Sequence, residues 1–323
     1  MAVYTEVPDE ALAAFIAGYG IGAITSCKGI AEGVENSNFL LHTERGAYIL
    51  TLYEKRVAKA DLPFFLGLME HLAATGISCP VPLRDRSGAM LGELAGRPAA
   101  LVTFLEGLSL RRPSSRHTSA LGAGLADLHK AGQGFGMSRP NALSVPGWAE
   151  LTARLGADAD KVSPGLAATL ADEVRHVTGH WPRGLPEGII HADLFPNNVF
   201  FMGDALSGFI DFYFACNDLF AYDIAICLNA WCFEDDRSFN VTKGQALLSA
   251  YAARRPLEPA ELEALPLLAR GAALRFLLTR AYDWLHTPEN ALVKRLDPME
   301  YLRKLRFFQN VTSARDLGWG MMA

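Results

Sequence analysis

A chain of 323 residues exceeds what one hydrophobic core ordinarily organises, which predicts two domains or lobes. Its hydrophobic fraction of 50% supports sizeable cores, and a net charge of −5 with 20% charged residues leaves no basic excess for a nucleic-acid partner. Cys27, Cys79, Cys216, Cys227 and Cys232 form no C-x-x-C pair, so reduced thiols are expected, while the acidic N-terminus MAVYTEVPDEAL and the lack of a membrane-length apolar run predict a cytoplasmic protein with no membrane partner.

Pro8-Asp9-Glu10 followed by Ala11, Leu12, Phe15 and Ile16 predicts a first helix that ends at Gly18 and Gly20. Strand-like runs follow at 24–30, 38–42 and 47–53, with turns at Gly33 and Gly46, which predicts an antiparallel sheet. Asp61-Leu62-Pro63 then opens a helix with Phe64, Phe65, Leu68, Met69 and Leu72 at helical spacing and Glu70 among them. Cys79-Pro80-Val81-Pro82 closes it, and strands are expected at 90–94 and 98–104 before a glycine turn at Gly107.

Beyond Gly107 the pattern becomes helical. Leu121, Leu125 and Leu128 share one face of a segment ending at His129-Lys130. Gly132, Gly134 and Gly136 follow a helix rather than a strand, which excludes a dinucleotide-binding fingerprint. Helices are expected at 148–155, 166–177, from Asp218 toward Trp231, and at 245–254, 261–284 and 299–309.

The chemistry concentrates in 188–212, GIIHADLFPNNVFFMGDALSGFIDF. Pro196 keeps the polar cluster His191, Asp193 and Asn198 on a loop; Val199 to Met202 and Gly208 to Asp211 then form a hairpin that delivers a carboxylate. Metal-dependent phosphoryl transfer needs such a set: a base to orient a hydroxyl and hard oxygens for magnesium on nucleotide phosphates. Asp193 is the candidate base, Asn198 and Asp211 the candidate metal ligands, and His191 the organiser of the loop.

His191-x-Asp193 with Asn198, then Ile210-Asp211-Phe212, resembles the core of the aminoglycoside phosphotransferase and choline kinase group. VENSNFLLHT, YILTLYEKR, HADLFPNNVFF and IDFYFACND look most like the homoserine kinases within it, and the resemblance covers nearly the whole chain. It implies an α+β, two-lobed, protein-kinase-like fold: a small antiparallel sheet lobe over 1–106 that binds nucleotide and a larger, mainly helical lobe over 107–323 with the catalytic loop and substrate site. It also implies ATP and Mg2+ as cofactors and phosphorylation of L-homoserine in threonine biosynthesis. Rival readings are a kinase of another small alcohol, such as an aminoglycoside, choline or methylthioribose, and a non-catalytic nucleotide-binding module.

The resemblance assigns further positions. The connection from Gly29 to Asn38 occupies the place of a phosphate loop, with Ser37 and Asn38 as donors, and Thr103 and Leu105 flank the expected adenine contacts. Thr51 stands where the group normally has a phosphate-contacting lysine. Lys55 shares its strand face and is either the replacement cation, anchored by Glu70, or a solvated surface lysine. Asp223 is expected to fix the catalytic loop. On the helix over 261–284, Arg280 and Asp283 either clamp the carboxylate and ammonium of an amino acid or form a local ion pair.

Overall fold

A computed structural model describes residues 5–30, 36–54, 57–287 and 295–320, and it divides into two compact units. The first takes the chain up to Glu106, with Phe135–Met137 and Gly208–Tyr213; the second takes the remainder.

The first unit is built on a five-stranded antiparallel sheet. Its strands are β1 (Ile24–Gly29), β2 (Asn36–Thr43), β3 (Gly46–Tyr53), β4 (Gly92–Leu94) and β5 (Arg97–Thr103), in the order β1-β2-β3-β5-β4. Alternation puts Phe39, Leu41, Leu50, Leu52 and Leu101 on one buried face, against Leu12 and Ile16 of α1 (Asp9–Ala17). Pro63 sits in the first turn of α2 (Leu62–Ala74), where a missing N–H costs nothing, and the helix buries Phe64, Phe65, Leu68, Met69 and Leu72.

The second unit is mainly helical: α3 (Ser115–Ala131), α4 (Val145–Leu155), α5 (Leu166–His180), α6 (Phe220–Trp231), α7 (Val241–Arg254), α8 (Pro259–His286) and α9 (Pro298–Phe308). Every residue of α6 except Ala230 is buried, as expected of a helix that is apolar on all sides. Glu173 of α5 accepts from Arg270 Nε and Nη2 of α8, both at 2.7 Å, and from Gln309 Nε2 just after α9, at 2.7 Å, so one nearly buried carboxylate ties three helices. Among the described residues no helix is long and apolar enough to cross a membrane.

One expected helix start is corrected. Asp218 belongs to β9 (Cys216–Leu219), which pairs antiparallel with β6 (Glu187–Ile190), and α6 begins only at Phe220. Pairing with β6 satisfies the backbone of 216–219 and excludes it from the helix. The hairpin of β7 (Val199–Met202) and β8 (Ala205–Phe209) follows the loop after β6. All five cysteines are free and only Cys27 is exposed; burial pushes the Cys79 thiol up to about 12.

Helices α3 and α7 approach so closely that a Cβ on Gly122 would lie 2.2 Å from the carbonyl oxygen of Leu247. Gly122→Ala must push the two helices apart against a close-packed interior. The expected loss is about 1–3 kcal/mol, read as a lowered thermal midpoint, with Gly136→Ala, where an added Cβ meets open space, as the near-neutral control.

Candidate active site

The loop between β6 and β7 is held by hydrogen bonds to several of its backbone groups. At its start Ala192 adopts φ +63°, a left-handed conformation that a residue with a Cβ occupies only under constraint. The constraint is Asp223 of α6. Its Oδ2 accepts from the His191 amide at 2.8 Å and its Oδ1 from the Ala192 amide at 3.0 Å. Arg275, 1% exposed on α8, donates through Nη1 to the Ala192 carbonyl. The Asp193 carbonyl accepts from the Phe195 amide at 2.8 Å and from Asn198 Nδ2 at 2.8 Å, and the Leu194 carbonyl from Trp231 Nε1 at 2.7 Å.

This arrangement brings two expected site residues together. Asn198 Nδ2 also lies 3.1 Å from Asp193 Oδ2, while Asn198 Oδ1 accepts from Asn197 Nδ2 at 3.0 Å and keeps a second lone pair. Asp193 is half-buried, Asn198 buried and His191 fully buried. Pro196 opens a single 3-10 turn, Pro196–Asn198, that aims Asn198 back at Asp193.

Asp223 faces a third donor. His129 Nε2 lies 3.2 Å from Asp223 Oδ2, and His129 Nδ1 lies 2.7 Å from the Tyr251 hydroxyl. Burial disfavours a charged imidazole and lowers His129 despite the neighbouring carboxylate. A neutral ring satisfies both contacts, with Nε2–H donating to Asp223 and Nδ1 accepting from Tyr251. Burial alone would raise the Asp223 carboxyl, but the hydrogen bonds it accepts from His129 and from the His191 segment outweigh it and hold the carboxyl below its usual range.

In the first unit, Asp211 takes φ +65°, and its carboxylate accepts from the Tyr213 amide. The carboxylate keeps a solvent-accessible face, yet surrounding protein desolvates it and pushes it up to about 6. Beside it the Tyr213 and Tyr53 hydroxyls lie 3.1 Å apart, and Thr51, at the position expected for a lysine, donates to Asn38 Oδ1 at 2.8 Å. An uncharged network therefore occupies this part of the sheet.

The other expected positions make the following contacts. Ser37 is fully buried and donates to Glu54 Oε1 at 2.8 Å. Asn38 is matched with Thr51 across β2 and β3. Glu70 is gripped by Arg84, Nε at 2.9 Å and Nη2 at 2.7 Å, so both of its oxygens face an exposed guanidinium. Lys55 lies outside the described residues. Thr103 exchanges hydrogen bonds with Val81, its amide and hydroxyl both at 2.9 Å, which commits its donor to the sheet edge; Leu105 follows, half-buried, before Gly107 at φ +133°. Arg280 pairs with Glu300 of α9 at 2.6 Å, and Asp283 stands one turn further along α8, half-buried. Arg275 and His129 went unassigned from sequence, although an arginine inside the apolar run 272–278 is itself a signal of a buried polar contact.

A family model described as phosphotransferase enzyme family matches residues 26–257. The chain belongs to that family. Its relatives include proteins named homoserine kinase from Methylobacterium sp. (strain 4-46), 66% identical over 99% of both chains, and from Xanthobacter autotrophicus, 64% identical over 98% of this chain and 99% of the other. Among solved structures, an amicoumacin kinase in complex with AMP-PNP and Ca2+ superposes with TM-score 0.73 at 17% identity, covering 95% of this chain and 94% of that one. A microcompartment-associated aminopropanol kinase superposes with TM-score 0.67 at 18% identity, covering 96% and 99%. At such identities the likeness establishes a shared kinase-like fold, which this phosphotransferase builds from its small antiparallel sheet and larger helical portion.

Asp223→Asn leaves one acceptor oxygen for three donors, so at least one buried N–H loses its partner, at about 1–3 kcal/mol each. Thermal unfolding at neutral pH is expected to register that loss. The sign with pH is fixed: a carboxyl depressed in the folded state contributes stability above its unfolded value of about 3.9, lost as pH falls through the folded value. The gap between parent and variant therefore narrows in acid, and a gap that widens there contradicts the assignment.

Proposed function

We propose that this phosphotransferase transfers the γ-phosphoryl group of ATP to the side-chain hydroxyl of L-homoserine, releasing ADP and O-phospho-L-homoserine, a step of threonine biosynthesis carried out in the cytoplasm. The observation that carries the reaction type is Asp193, a half-buried carboxylate on a loop whose backbone is fixed by Asp223, Arg275 and Trp231. The acceptor is supported by homoserine kinases 61–66% identical over nearly the full chain.

In the chemical step the acceptor oxygen forms a bond to the γ-phosphorus as the bond from that phosphorus to the β,γ-bridging oxygen breaks. The hydroxyl proton passes to Asp193 Oδ, and ADP leaves with the bridging electrons. Immobilisation of the loop is the protein's main contribution, because phosphoryl transfer depends on positioning and charge stabilisation more than on covalent participation. Asn198 Nδ2 lies 3.1 Å from Asp193 Oδ2, which restricts the carboxylate's rotation.

Asn198 Oδ1 and the Asp211 carboxylate are hard oxygens of the kind magnesium takes alongside phosphate oxygens. Asp211 fits a dication on a further ground: desolvation raises its carboxyl, and no described residue places a cation against it. When bound, Mg2+ neutralises charge on the nucleotide phosphates. Adenine is assigned to the backbone near Leu105, past the committed Thr103 donor. With Ser37 and Glu70 engaged elsewhere, the phosphates are assigned to magnesium and Lys55.

A coupled ADP-release assay over a panel of small alcohols tests the function: magnesium-dependent ADP release with L-homoserine, and none above background with choline, an aminoglycoside or methylthioribose, is the expected pattern. Asp193→Asn keeps the side chain's shape but removes its basicity, and kcat is expected to fall by roughly 10²- to 10⁴-fold while ATP binding survives. In magnesium titrations of single-turnover reactions, Asp211→Ala is expected to shift the half-saturating concentration upward further than Asn198→Ala, since it removes a full charge. Unchanged titrations in both variants place the metal elsewhere.

A further inference from the structure

One cluster of charged side chains in the helical unit has no part in holding the catalytic loop. Arg280 of α8 and Lys304 of α9 share a single carboxylate, Glu300: Arg280 Nη1 lies 2.6 Å from Oε2 and Lys304 Nζ 2.7 Å from Oε1. The two cations are nearly buried, with side chains 11% and 8% exposed, whereas the Glu300 side chain is 40% exposed. Both cations also pack on the ring of Tyr301, each 4.5 Å from its centroid. Burying two cations over one anion is costly for stability alone, since each desolvated charge needs compensation. Desolvation accordingly lowers Lys304 in spite of Glu300.

The cluster is connected to the catalytic base. Phe195, two residues after Asp193, packs edge-on to Phe276 of α8 at 4.9 Å, and Phe276 packs on Tyr301 at 5.1 Å. The Tyr301 hydroxyl is fully buried and, among the described residues, has no hydrogen-bond partner, and it lies near enough to feel the charge of Asp193. A buried, unpartnered hydroxyl between a base and a cation pair is a cost without return unless a polar ligand visits that region.

We infer that the Arg280–Glu300–Lys304 cluster recognises the amino-acid end of the acceptor, Arg280 receiving its carboxylate and Glu300 its ammonium group. The inference rests on the reading of this site as a homoserine-phosphorylating one and adds which residues read the substrate. The resident ion pair has the pattern of a zwitterion, so the substrate exchanges contacts: its carboxylate replaces Glu300 on Arg280, and its ammonium joins Lys304 at the exposed Glu300. Lys304 also donates to the Asn229 carbonyl at 2.9 Å, which anchors it while Arg280 changes partner. A zwitterion adds no net charge to two cations and one carboxylate. Choline or a polycationic antibiotic adds only positive charge and meets repulsion, so the same cluster selects against both.

The test uses the full-length enzyme with four acceptors: L-homoserine, the amino alcohol left by removing its carboxylate, the hydroxy acid left by removing its ammonium, and choline. The parent is expected to prefer homoserine over the amino alcohol. In Arg280→Gln, kcat/KM for homoserine is expected to drop by roughly 10- to 100-fold, the worth of a charge-assisted contact, with that for the amino alcohol and the KM for ATP unchanged. Glu300→Gln is expected to weaken both ammonium-bearing substrates and to spare the hydroxy acid. Arg280→Lys keeps the charge but loses the planar fork, and an intermediate loss is expected; it carries the comparison if Arg280→Gln does not fold. If the parent phosphorylates homoserine and a folded Arg280 variant keeps the parental preference over the amino alcohol, the inference is overturned and the homoserine kinase reading stands. If the parent does not phosphorylate homoserine, both are overturned.

Discussion

The carboxylate of Asp223, fully buried in α6, accepts from the amides of His191 and Ala192 and from the imidazole of His129, and the geometry of the catalytic loop follows from this requirement. Two successive amides can converge on one carboxylate only if the backbone turns sharply between them, and Ala192 at φ +63° makes that turn. Such a conformation costs about 1–3 kcal/mol and persists because its surroundings over-determine it. Arg275 from beneath and Trp231 from the side take the carbonyls that the turn exposes. Asp193 therefore projects from a backbone fixed on both sides, the condition that its proposed role as base calls for.

The two units solve their charge problems differently. In the helical unit, Arg280 and Lys304 are nearly buried and share the one accessible carboxylate of Glu300. In the sheet unit, the position where the resemblance implies a lysine holds Thr51, matched to Asn38, with the Tyr53 and Tyr213 hydroxyls bonded nearby. Tyr53 is buried and desolvation raises its hydroxyl well above the usual range, so this network stays neutral at physiological pH. Among the described residues, Asp211 consequently faces hydroxyls where a kinase with the usual lysine would place a cation.

What the sequence determined by itself is local and periodic. Alternating apolar residues in β2 and β3 specified an antiparallel sheet, because a one-residue slip would turn Phe39, Leu41, Leu50 and Leu52 to solvent. Helical spacing located α2, α3 and α8, and the order His191, Asp193, Asn198, Asp211 stood out because those polar residues interrupt strand-length apolar runs. Partner choice over long separations left no such trace. Glu70 meets Arg84 because the chain reverses after α2; Ser37 turns to Glu54 because it faces the interior of the sheet; β9 pairs with β6 because its backbone needs a neighbour. Arg280 reaches Glu300 across the packing of α8 on α9, twenty residues apart and invisible to an i, i+3 argument confined to one helix. A side chain's type limits what it can bond, but its partner is whichever group the fold delivers to it once water has been expelled, and that delivery is decided only in three dimensions.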